Sequence, residues 1–286
     1  MLDPIEYDAA ERAALDQLPN RVISACQPVA FNTAHYPTRV SSVKGLWRFA
    51  NVMQEGRIRR EFQQLNGLTG HEMDLIRKVT DAVVTLTTGL CGRPVVPTAS
   101  LVSSIATYRA IKNSRPGSSV FEIGGGSGYV GALLIADGFD YWSTDVSQGF
   151  FLWQEHLFNA LGALPDRHLT WWEWLTREPI LVDVIVANHV LNEMHPYALA
   201  YFLRKTAEML NIGGILLSYD LGSEVLRTCD ETSKICEKFG IFPCSMAVRL
   251  KNPEYGYDDL LKLWKSYADD VRTEDEKFLE FINEPH

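Results

Sequence analysis

The 286-residue chain has no uninterrupted apolar run of about eighteen residues, so no membrane span is expected. Positive charge is scarce. With 27 Lys and Arg against 36 Asp and Glu, the net charge is −9, which argues against a duplex nucleic-acid partner, because phosphate binding needs a basic face. Cysteine is sparse and unpatterned: Cys26, Cys91, Cys229, Cys236 and Cys244 form no C-x-x-C pair and do not combine with histidines at zinc-finger spacing. Reduced thiols and a cytoplasmic location are expected. The first eight residues, MLDPIEYD, lack a basic stretch followed by an apolar one, so no signal peptide is expected. Repeats and low-complexity tracts are also missing. The rest is ordinary for a globular protein, at 46% hydrophobic and 22% charged residues. The length suffices for one large α/β domain and an accessory part.

The informative stretch is Val120-Phe121-Glu122-Ile123-Gly124-Gly125-Gly126-Ser127-Gly128, followed later by Asp145. A short apolar run stops at three glycines, a helical segment follows, and a second strand-like run ends on an acid. This pattern builds a nucleotide site at the carboxyl edge of a parallel sheet. Glycine lets the backbone turn and approach a ligand closely, and an acid about twenty residues on can accept from ribose hydroxyls. Two cofactors compete. Gly126-Ser127-Gly128-Tyr129-Val130-Gly131 fits the dinucleotide pattern G-x-G-x-x-G. Glu122, two residues before the first glycine, disfavours a pyrophosphate by like-charge repulsion and favours a cationic ligand. It acts by direct contact, through water, or by holding the loop.

Glu122 to Gly128 with Asp145 resembles the first two cofactor motifs of class I S-adenosylmethionine-dependent methyltransferases. Later segments resemble that family in order and spacing: Thr170-Trp171-Trp172-Glu173-Trp174 at the adenine pocket, Val182 to His189 as the fourth strand and its loop, and Asn211 to Asp220 as the glycine turn and fifth strand. The resemblance covers roughly residues 110 to 250. It implies S-adenosyl-L-methionine as cofactor, held by Glu122, Gly124, Gly126, Gly128, Asp145, Val146, Trp172, Glu173 and Asn188. It also implies a Rossmann-like, doubly wound, mostly parallel α/β sheet.

Alternating patterns agree, with strands expected near 119–123, 140–144, 168–171, 182–187, 214–219 and 245–250. Helices are expected near 128–137, 148–162, 195–210 and 224–239, with further ones over 257–271 and from 274. Before the sheet, helices are expected at 8–18, 43–65, 71–90 and 99–111. Residues 1–112 then form a helical lid, substrate or dimerisation region, and 113–286 the cofactor-binding domain.

Residues 187–195, at the end of the fourth strand, face the ligand crevice of such a sheet. A hydroxyl acceptor needs a base; His189, His195 and Glu193 are the candidates, histidine because it titrates in the right range. Asp220, at the end of the next strand, can orient a base, but with Glu193 it makes too few carboxylates for a metal site, and none is expected. Asp183, at the opposite edge, reads as structural. The run Asn188-His189-Val190-Leu191-Asn192-Glu193-Met194-His195-Pro196 resembles sugar O-methyltransferases of polysaccharide and glycosylated natural-product gene sets. Phenolic O-methyltransferases carry a catalytic histidine at a position matching Asn192, and this departure leaves the base unassigned. The expected activity is methylation of a small-molecule hydroxyl, with a homodimer as the expected assembly. The alternatives are N- or C-methylation, a non-methylating protein that keeps the cofactor fold, and a nicotinamide-dependent reductase.

Overall fold

The computed structural model describes residues 1–18, 38–52, 58–115, 117–191, 196–218, 234, 237–240 and 250–271. Among these residues five strands form one parallel sheet: β1 Ser119–Ile123, β2 Asp140–Asp145, β3 His168–Thr170, β4 Val182–Val186 and β5 Leu210–Leu217. Their order is β3-β2-β1-β4-β5. The chain therefore winds outward from β1 in one direction, then crosses to β4 and continues in the other. The carboxyl ends of β1 and β4 lie side by side at this switch, where ligands bind in open α/β sheets. Apolar β-branched residues fill the central strands because both sheet faces are covered; Val182, Val184, Ile185 and Val186 are fully buried.

Ten helical segments surround the sheet among the described residues. In chain order they are α1 Pro4–Leu15, a short 3-10 helix Val43–Phe49, α2 Ile58–Leu65, α3 Gly70–Cys91, α4 Ala99–Ser114, α5 Tyr129–Ala136, α6 Gln148–Ala160, α7 Trp171–Thr176, α8 Pro196–Met209 and α9 Tyr257–Val271, besides a single 3-10 turn at Pro165–Arg167. Helix α1 starts at a capping box in which Asp3 accepts from the Ile5 and Glu6 amides while Glu6 reaches back. Helix α3 starts the same way with Thr69 and Glu72, and ends at Gly92, whose φ of 66° gives the left-handed cap. One apolar core joins the helical region to the sheet domain, running from Leu46, Phe49 and Ile76 to Leu133, Phe151 and Val186.

Four expectations change. The helix over 8–18 runs instead over Pro4–Leu15, because the Asp3 cap and Pro4 start it four residues earlier. The single helix over 43–65 is two elements among the described residues, because Gly45 and bulky Trp47 and Phe49 favour a short 3-10 segment. The strand over 168–171 ends at Thr170, and Trp171 to Thr176 is helical, since Thr170 and Glu173 form a third capping box. The fifth strand begins at Leu210, four residues earlier than expected. The expected strand over 245–250 and helices over 224–239 and from 274 fall mostly or wholly outside the described residues. Asp183 sits at the amino edge, where its carboxylate accepts from the Ser119 amide and hydroxyl and from Asn211 Nδ2 at 3.1, 3.0 and 2.9 Å. There it ties β1 to the start of β5.

Candidate active site

Strand β1 delivers its last residues into a turn that only glycine tolerates. Gly124, Gly126 and Gly128 have φ of 67°, 56° and 75°, in the region that other L-residues rarely adopt. The surroundings of the three differ. A Cβ on Gly124 would stand 2.7 Å from Val190 Cγ2, and one on Gly128 2.9 Å from Gln154 Cγ. A Cβ on Gly126 would meet nothing within 4 Å. The loop is thus packed at both ends and borders open space in the middle. Gly131, third glycine of the literal dinucleotide pattern, serves packing instead: a Cβ there would lie 2.4 Å from the Tyr141 hydroxyl.

Glu122 lies beneath this loop, 2% exposed. Its Oε2 accepts from the Tyr141 hydroxyl at 2.6 Å, and the Gly131 amide supplies a second bond. Burial pushes its pKa up to about 7, against these two bonds. Of the ways this acid can act, holding the loop and the start of α5 is the one these contacts describe. Asp145 ends β2 and is equally buried, at 4% exposure. Its Oδ1 accepts from the Ser147 amide at 2.9 Å, and its Oδ2 from Gln154 Nε2 at 3.0 Å and from the Gly126 amide at 3.3 Å. Burial again outweighs these bonds and raises the pKa to about 6. The Val146 amide supplies a further bond to this carboxylate. Val146 follows, half-buried.

Trp172 and Glu173 stand on α7 rather than on a strand. Trp172 packs edge-on against Tyr7, with ring centroids 5.1 Å apart. Glu173 is exposed, and its Oε2 accepts from the Thr170 amide and hydroxyl at 3.0 and 2.7 Å. Both Thr170 and Glu173 border a groove of about 600 Å³ along the outer edge of β3, whose lining includes no glycine-loop residue. Asn188 donates from Nδ2 to Thr107 Oγ1 on α4 at 2.9 Å. His189 follows with a left-handed φ of 57°. Val190 then closes against Gly124. Asn192, Glu193, His195 and Asp220 lie outside the described residues. His168 is excluded as a base by its surroundings. Its Nε2 donates to the Phe151 carbonyl at 3.0 Å, its Nδ1 accepts from Ser143 at 2.7 Å, and burial pushes its pKa down to about 4.

Sequence reasoning did not anticipate Tyr141, Gln154, Ser127 or Tyr7. Gln154 donates to Asp145 and, at 2.7 Å, to the Gly126 carbonyl. It thereby pins the glycine loop to the end of β2 from the second turn of α6, a role no local pattern announces. Ser127 Oγ, Thr144 Oγ1, Gln154 Oε1 and the Tyr7 hydroxyl are all buried without a hydrogen-bond partner. Native proteins rarely leave such groups unsatisfied. Ser127 and Thr144 belong to the segments that end at the sheet's carboxyl edge, beside the glycine turn and Asp145.

Residues 121–216 match the family model of a methyltransferase domain. No curated protein sequence matches the chain. Solved structures with a similar arrangement include the cyclopropane synthase MmaA2 from Mycobacterium tuberculosis, at 15% identity and a TM-score of 0.40, with 77% of this chain and 90% of that one covered. The mitomycin 7-O-methyltransferase MmcR shares 16% identity with a TM-score of 0.33, over 73% of this chain and 59% of that one. An O-methyltransferase family 2 protein from Planctomyces limnophilus, in complex with apigenin, shares 14% identity with a TM-score of 0.31, over 76% and 61%. The chain thus spans about three fifths of the length of these two O-methyltransferases. The domain match lies over the glycine turn, the acid that ends β2 and the sheet's switch point, so the chain carries a methyltransferase domain, with S-adenosylmethionine as its cofactor.

Proposed function

We propose that the chain methylates an oxygen of a small polyhydroxylated acceptor, a sugar hydroxyl of a glycoside being the first choice. The observation that carries this reading is the turn at His189. A non-glycine residue with φ of 57° is held in a sparsely populated conformation, at a cost of about 1–3 kcal/mol, and such strain gathers at functional sites. The next residue, Val190, packs against the glycine loop, which supports a position for His189 near the departing methyl group in this reading. S-adenosylmethionine, when bound, would supply a methyl group on a sulfonium and leave as S-adenosylhomocysteine. The acceptor oxygen forms the new C–O bond as the C–S bond breaks, and the hydroxyl proton passes to a base. His189 is assigned that proton, with Glu193 and His195 as the other candidates.

The sugar preference is supported by the resemblance of residues 188–196 to sugar O-methyltransferases. A second support is Thr107 on α4, whose hydroxyl is bonded to Asn188 at the turn, with Ser103 one helical turn before it on the same face. In this reading the helical region 1–112 closes over the catalytic domain 113–286.

Incubation with S-adenosylmethionine and a panel of p-nitrophenyl glycosides and amino sugars, read by mass spectrometry, tests the assignment. Methylation of a sugar oxygen is expected. His189→Ala is expected to lower kcat by about 10²-fold or more, with KM little changed. Methylation confined to amines overturns the O-methyl reading, and an unchanged kcat removes His189 as the base.

A further inference from the structure

Two consecutive side chains in the second turn of α6 grip the glycine loop. Trp153 Nε1 donates to the Ser127 carbonyl at 3.1 Å, and Gln154 Nε2 to the Gly126 carbonyl at 2.7 Å. The same Gln154 amide donates to Asp145 Oδ2 at 3.0 Å, and that oxygen also accepts from the Gly126 amide at 3.3 Å. Gly126, Asp145 and Gln154 thus close a ring of three hydrogen bonds that holds both backbone polar groups of Gly126. The partners fix which end of the side chain faces them. A carbonyl and a carboxylate can only accept, so both need the NH₂ end of Gln154.

The ring joins two parts of the cofactor site that come from different strands. Gly126 belongs to the loop after β1 and borders open space. Asp145 ends β2 and is the acid expected to take the ribose hydroxyls. The register of the two strands ends at Ile123 and Thr144, followed by one bond from the Gly124 amide to the Thr144 carbonyl at 2.9 Å. Beyond it, Gln154 spans the gap from a third element. The bond that Gln154 donates also favours the ionised form of Asp145, against a burial that raises its pKa to about 6. The other titratable groups acting on this acid are Glu122 of β1, itself raised to about 7, and the Tyr7 and Tyr141 hydroxyls, which burial keeps protonated.

We propose that Gln154 is a positioning residue for the cofactor: its amide sets the glycine loop against Asp145 and orients the carboxylate that receives ribose. Gln154 has no exposed surface, so it acts through Gly126 and Asp145 and does not touch the ligand. This rests on the assignment of the glycine loop and Asp145 as the cofactor site.

Calorimetric titration with S-adenosylhomocysteine of the wild type, Gln154→Glu and Gln154→Met, at about pH 6 and about pH 8.5, tests the proposal together with thermal unfolding of each free protein. Gln154→Glu keeps the shape but removes the donor. Near pH 8.5 its carboxylate repels Asp145, and affinity is expected to fall at least about tenfold below the wild type at the same pH, the loss of a hydrogen bond to a charged group. Near pH 6 the two acids share a proton, which restores the bond between them, and the deficit is expected to shrink to about threefold. Gln154→Met has no proton to regain and is expected to bind about tenfold more weakly at both values. Both variants are expected to stay folded, with midpoints lowered by up to about 10 °C. Comparison with the wild type at each pH removes the titration of Glu122, which all three proteins share. Wild-type affinity in Gln154→Met, or an equal deficit of Gln154→Glu at both pH values, overturns the positioning role while the cofactor site stands. Loss of folding by either variant also overturns it, because Gln154 then serves the fold. If the wild type does not bind, the cofactor-site assignment falls and takes this proposal with it.

Discussion

Gly126→Arg is expected to abolish cofactor binding while leaving the protein folded. The backbone at Gly126 has φ of 56°, so any side chain there carries left-handed strain of about 1–2 kcal/mol. That is a tolerable loss for a domain of this size. No protein atom stands within 4 Å of the new Cβ, so the side chain leaves the backbone without a clash. It extends into the space the loop borders and sets a cation where a sulfonium and an ammonium must approach. The expected loss in S-adenosylhomocysteine affinity exceeds about 100-fold, roughly 2.7 kcal/mol, with the thermal unfolding midpoint lowered by only a few degrees. Position 126 separates binding from folding better than its neighbours. A Cβ at 124 or 128 would strike Val190 or Gln154 at 2.7 or 2.9 Å, so those substitutions confuse the two effects. Retained affinity in Gly126→Arg removes the glycine loop from the cofactor site.

The second large effect lies away from the site. Arg109 on α4 is 4% exposed and Glu72 on α3 is 6% exposed. Arg109 Nε donates to Glu72 Oε1 at 2.6 Å and Nη2 to Oε2 at 2.8 Å, a two-bond fork. The same guanidinium reaches the Leu65 and Gly67 carbonyls, both at 2.6 Å. One side chain therefore joins three parts of the helical region: α4, the start of α3 and the turn leaving α2. Glu72 also closes the capping box with Thr69. Arg109→Met strips the charge from the pair and leaves a buried carboxylate and two carbonyls without their donor. Breaking a buried pair from one side costs about 3–5 kcal/mol. Urea unfolding of the wild type and variant measures it. A difference below about 1 kcal/mol would mean that the clamp does not hold the helical region.

The parts of the fold legible in the sequence are those set by local chemistry. Strand β1, the glycine turn and α5 follow from an apolar run, three glycines and a helical segment in direct succession, and the sheet's parallel character follows from repeating that alternation. The boundary of β3 was missed although its signal was present. Thr170-Trp171-Trp172-Glu173 is a capping box, but three indoles in four residues weigh toward a strand when propensity alone is considered. Tyr7 and Glu11 were beyond reach for a different reason. The Glu11–Trp171 bond spans 160 positions, and long-range pairs leave no spacing to read. Gln154 and Tyr141 belong to the same class: each stands within an ordinary apolar element, and only the folded sheet shows that one holds Asp145 and the other Glu122.

The central claim is that this glycine loop and Asp145 hold S-adenosylmethionine rather than a nicotinamide dinucleotide. The most direct test is isothermal titration of the purified protein with S-adenosylhomocysteine and, separately, with NAD(H). The account predicts micromolar binding of S-adenosylhomocysteine and no binding of NAD(H). Binding of NAD(H) alone, or of neither ligand, would contradict it.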